Sequence, residues 1–127
     1  MGNTLQTIER TLRLIEVMRK QADLTLKQIA VRADMPKPTV HSHLTTLVQA
    51  GYVVKNDHRY SLSYEWLSVG YDILNASVPV SLLDQYVERV AAETGFRSNI
   101  AVGHNQTGIV ISVAAGNYPD WPSQELG

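Results

Sequence analysis

The sequence predicts an α+β fold, mainly helical, in two successive helix-then-hairpin blocks, and three observations carry that prediction. Apolar residues recur at helical spacing through most of the first fifty positions. After Gly51 the spacing gives way to short β-prone runs with turn residues between them. A helical period followed by two strand-like runs then returns from Ser81 onward. With 127 residues, 44% of them apolar, the chain has room for one ordinary domain or two small ones.

The first helix is predicted over 4–21, where Leu5, Ile8, Leu12, Ile15 and Val17 to Met18 recur with no Gly or Pro among them. A second starts at Thr25, which forms a capping-box pair with Gln28 three residues on. Its stripe is Leu26, Ile29, Ala30 and Ala33. Asp34-Met35-Pro36 breaks it, because proline cannot continue a helix. The third helix starts near Lys37-Pro38, where proline is tolerated in a first turn. Val40, Leu44, Leu47 and Val48 give its core stripe. Thr39, Ser42, Thr46 and Gln49 lie opposite, His41 and His43 flank them, and Gly51 is placed to end the helix.

Tyr52–Lys55 and Arg59–Leu62 make a short hairpin around Asn56-Asp57-His58. A fourth helix over 64–77 carries Trp66, Leu67, Gly70, Tyr71, Ile73 and Leu74 mostly on one face. A fifth, Ser81 to Thr94, is closed by Gly95. Two strands, Ser98–Gly103 and Ile109–Ala114, are joined by residues 104–108, and the tail from Asn117 is read as loop.

Helix, helix, proline-marked turn, helix and hairpin in that order make a winged helix-turn-helix. The third helix of that motif enters the major groove of DNA, so its outer face must be polar and slender. Charge agrees. Residues 1–63 hold nine Lys and Arg against five acidic residues, a balance of +4, whereas 64–127 hold two against seven, a balance of −5. The first half is therefore suited to a polyanion. The candidate DNA-binding residues are Thr25, Arg32, Lys37, Pro38, Thr39, His41, Ser42, His43, Thr46, Lys55, His58 and Arg59. Lys37 at the helix start, Arg32, and the hairpin's Lys55, His58 and Arg59 suit phosphates; Thr39, Ser42 and Thr46 suit base edges. A homodimer is expected, with Leu12, Ile15, Trp66, Leu67, Tyr71 and Leu74 at its interface.

Three competing readings are weaker. His41 and His43 are ~200° apart around a helix, so they cannot share one metal ion, even with His58 nearby. No Gly-rich phosphate loop, nucleophile elbow, HExxH or paired-carboxylate motif occurs, so no enzyme and no cofactor are expected. A winged helix used purely as a protein-interaction scaffold is the alternative to DNA binding. With no cysteines, no run near the ~20 apolar residues of a membrane span, and no basic-then-apolar start, the expected compartment is the cytoplasm.

The stretches Leu26-Lys27-Gln28-Ile29-Ala30, Met35-Pro36-Lys37-Pro38-Thr39-Val40-His41-Ser42-His43-Leu44-Thr45-Thr46-Leu47 and Gly51-Tyr52-Val53 resemble the DNA-binding domain of IclR-type transcription regulators. The resemblance runs over 4–115 and is most specific across 24–74. It implies a winged helix-turn-helix domain over 4–63, a linker helix over 64–78, and a partial effector-domain-like segment with a loop-rich tail over 79–127. It also implies dimers, usually paired into tetramers, on palindromic operators. Ser42 stands where many members have Arg. Only the first helix and first hairpin of the effector domain are matched, over 81–115, so control by a small-molecule effector is not expected.

Overall fold

The computed structural model describes residues 5–77 and 79–117. It divides after Gly70 into two compact units. In the first, α1 (Gln6–Lys20), α2 (Leu26–Ala33) and α3 (Lys37–Gln49) pack with a small sheet of β1 (Leu24–Thr25), β2 (Val53–Asn56) and β3 (Arg59–Leu62). The strand order is β1-β3-β2, antiparallel throughout, with Leu24 opposite Tyr60 and Val53 opposite Leu62. A fourth helix, α4 (Glu65–Ser77), runs across the division.

The core of the first unit lies where the three helical stripes meet the sheet. Leu14, Leu24, Ile29, Val40, Leu44 and Val53 are fully buried there, with Met18, Ala33, Met35, Leu47 and Tyr60 around them. The α1 stripe that packs inward is not the one with the clearest period. Leu14 and Met18 are buried, whereas Leu5, Ile8 and Leu12 stay 69%, 54% and 56% exposed. α1 thus carries two apolar faces, and the core uses one.

Local chemistry sets the boundaries. Thr25 caps α2 as expected: its hydroxyl accepts from the Gln28 N–H, and the Gln28 side chain accepts from the Thr25 N–H at 2.9 Å. α2 ends at Asp34, which holds a left-handed conformation with φ of 52°, and the Met35 N–H reaches back to the Ala30 carbonyl. α3 ends in the same way on Gly51, with φ of 85° and the Tyr52 N–H bonded to the Leu47 carbonyl. The β1 strand was not expected. It forms because Leu24 and Thr25, between two helices, lie extended beside β3.

In the second unit α5 (Val80–Thr94) packs on a hairpin of β4 (Ser98–His104) and β5 (Thr107–Ala114). Val87 and Ala91 are buried in it, and the Ser112 hydroxyl donates to the Asp84 carboxylate. Gly95 ends α5 with φ of 75°. The strands run further toward the turn than the sequence suggested. Asn105 and Gln106 both adopt positive φ, so two residues make the connection where five were expected. The tail from 118 onward lies outside the described residues.

Candidate nucleic-acid interface

α3 presents its outer face because its inner face is fixed. Val40, Leu44 and Leu47 point into the core, so residues 38, 42, 45, 46 and 49 must point away. Pro38, Ser42, Thr45, Thr46 and Gln49 are all exposed, and Thr39 is half-buried. Thr45 belongs to this face although it was not singled out from the sequence. The signal was present, since it falls one turn after His41 on the polar side.

The hydroxyls on this face are not idle. Ser42 donates to the Pro38 carbonyl at 3.1 Å, Thr45 to His41 at 2.8 Å and Thr46 to Ser42 at 3.2 Å. Each returns its hydrogen to the helix one turn back. Lys37 is the first helical residue and is exposed. Beyond it α3 has no charged residue up to Gln49.

The two histidines part company. His41 is exposed, whereas His43 is half-buried and turned toward α1, with its Nδ1 2.8 Å from the Thr11 hydroxyl. The Thr11 hydroxyl also lies 2.8 Å from the Thr7 carbonyl. The direction of the His43–Thr11 hydrogen bond is set by the tautomer of the imidazole. His43, Ser42 and Thr46 line a cleft with Thr7 and Thr11, so α1 borders the exposed face of α3.

The hairpin projects as a wing with Asp57 and His58 at its tip. Lys55 and His58 are exposed, and the Lys55 ammonium lies 5.6 Å from the Tyr60 ring centroid. Arg59 is less free than the sequence suggested. Its guanidinium donates to the Asp23 carbonyl at 2.8 Å and lies 3.6 Å from the Asp23 carboxylate. Arg32 donates to the Gln21 side chain at 2.8 Å, and Thr25 is occupied in its capping box. The phosphate candidates thus divide into Lys37, Lys55 and His58, for which no such bond is seen among the described residues, and Arg32 and Arg59, already held.

The residues assigned to self-association are not equally available. Leu12, Leu67 and Tyr71 are 56%, 58% and 64% exposed. Ile15 and Leu74 are half-buried. Trp66 is also half-buried: its indole N–H donates to the Tyr52 carbonyl at 2.9 Å, and the two ring centroids lie 5.0 Å apart. No described helix is long and apolar enough to cross a membrane.

Comparison with known proteins finds relatives for this geometry. Residues 7–57 match the IclR helix-turn-helix domain. A Pca regulon regulatory protein of Pseudomonas putida is 28% identical over 99 residues, covering 76% of this chain and 34% of that protein. Among solved structures, an IclR family transcriptional regulator from Brucella abortus superposes with a TM-score of 0.75 at 20% identity, over 91% of this chain and 46% of that one. The Thermotoga maritima IclR gives 0.69 at 17% identity, over 91% of this chain and 48% of that one. The chain therefore spans less than half the length of these relatives. Within the amino-terminal unit, residues 7–57 are thus similar to the IclR helix-turn-helix domain.

Proposed function

We propose that this protein is a DNA-binding transcription regulator of IclR type, with α3 as recognition helix in the major groove and the β2–β3 wing on the backbone. The observation that carries the reading is the outer face of α3. It is polar, slender and uncharged after Lys37, and it is held outward by a buried stripe in a domain of the matching family. Such a face suits base edges, while Lys37, Lys55 and His58 suit phosphates.

The working unit in this reading is a homodimer joined through α1 and α4, because one winged helix covers too little DNA for high specificity. Residues 4–63 then form the DNA-binding domain and 64–78 a linker. Residues 79–127 correspond to the start of an effector-like domain, and the protein acts in the cytoplasm, where its DNA would be. No small-molecule effector is part of the proposal.

Fluorescence anisotropy with a random duplex across a salt series tests it. The expected result is binding at low salt, with log affinity falling against log salt by about 0.9 for each phosphate neutralised. Absence of binding to any duplex at low salt overturns it and leaves the protein-interaction scaffold.

A further inference from the structure

A groove runs between one edge of α2 and the start of α3. Lys27, Val31 and Asp34 line its α2 side, at spacings of four and three residues, so they form one row along the helix. Met35, Pro36 and Lys37 line the other side. We propose that this groove seats the DNA backbone, with Lys27 and Lys37 holding phosphates and Val31 resting on a deoxyribose. This rests on the proposed DNA-binding function, and it gives the phosphate contact of α2 to Lys27 instead of Arg32.

Lys27 and Lys37 are both exposed, and neither is seen in a hydrogen bond or ion pair among the described residues. Val31 is 73% exposed, on a helix whose Ile29, Ala30 and Ala33 are buried. Two lysines against Asp34 leave the groove with a balance of +1. A DNA strand has the same alternation of chemistry, a charged phosphate and then a sugar with an apolar face. A purely apolar partner would leave both ammonium groups unanswered, and a small anion would leave Val31 in water.

The place of the groove agrees with that occupant. Lys37 opens α3, and the exposed face of α3 begins at Pro38. The groove therefore meets the face proposed for base edges at its start, where a strand bordering the major groove runs. Arg32 is five residues from Lys27, ~140° around α2, and is bonded to Gln21 at 2.8 Å. It belongs to another edge of the helix.

The test is anisotropy of the full chain on a random duplex across a salt series, for the wild type, Lys27→Gln, Arg32→Gln and Val31→Glu. All three positions are exposed, so each variant should fold, which circular dichroism checks. Lys27→Gln should lower the slope of log affinity against log salt by about 0.9, so that its deficit shrinks about eightfold for each tenfold rise in salt. Damage to the fold would instead weaken binding alike at every salt. Arg32→Gln should leave the slope unchanged. Val31→Glu should bind more weakly than Lys27→Gln at low salt, because it sets a carboxylate against the backbone. A Lys27→Gln slope equal to that of the wild type, an Arg32→Gln slope that falls as far, or a Val31→Glu protein that binds like the wild type overturns the inference while leaving DNA binding intact. A wild-type protein that binds no duplex fails the proposed function itself, and this inference with it.

Discussion

Asp23 and Arg59 show how a single contact can occupy a candidate phosphate-binding side chain. The Arg59 guanidinium is bonded back to Asp23, whose own backbone is left-handed with φ of 59°. On DNA the arginine must choose between this partner and a phosphate. Asp23→Asn removes the competing charge and keeps a residue that tolerates the left-handed conformation. It should raise affinity for random duplex at low salt several-fold and steepen the salt dependence. Folding stability should move by less than about 1 kcal/mol, because the pair is exposed. Anisotropy and urea denaturation check the two halves, and an unchanged affinity would mean that Arg59 stays on Asp23 in the complex. Neither this pairing nor that of His43 with Thr11 was legible in the sequence, since the partners lie 36 and 32 residues apart. Side-chain identity placed the residues on the right elements, but only the packing of α1 and β1 decides what they touch.

At the level of elements, the two helix ends on either side of the α2–α3 turn form a natural comparison. Both use a left-handed residue, Asp34 after α2 and Gly51 after α3, with the same backbone bonds closing the last turn. Asp34→Gly should therefore stabilise the protein by about 0.5–1 kcal/mol, as backbone strain is relieved. Gly51→Ala should destabilise it by about 1 kcal/mol, and through the backbone alone, since a Cβ there would meet nothing within 4 Å. Thermal denaturation of the pair gives shifts of opposite sign if the conformations are as described. These ends, the Thr25 cap and the Pro36 break were readable in advance because each is set by two or three neighbouring residues. β1 was not readable, because two residues become a strand only when β3 lies beside them. The tight β4–β5 turn escaped notice for a related reason: Gln106 takes a positive φ that its side chain does not advertise.

At the scale of the whole molecule, α1 and α4 both carry exposed apolar side chains. Leu5, Ile8 and Leu12 share one face of α1 at spacings of three and four residues, away from the buried Leu14 and Met18. Leu67 and Tyr71 are exposed on α4. If these faces join two copies, Leu12→Glu and Leu67→Glu should convert a dimer to a folded monomer, read by light scattering together with circular dichroism. A wild-type protein that is monodisperse and monomeric at micromolar concentration would refute the dimer. Trp66 is a poor choice for that experiment, because replacing it would disturb the first unit itself.

The tie between Trp66 and Tyr52 has an optical consequence. The indole N–H rests on a carbonyl just past the end of α3, with the two rings in contact. The emission of Trp66 is thus coupled to the last turn of α3. The chain holds two tryptophans, and with Trp121→Phe only Trp66 would remain. Any rewinding of that turn as α3 enters a groove would then appear as a change in colour and lifetime from one native fluorophore, with no label attached.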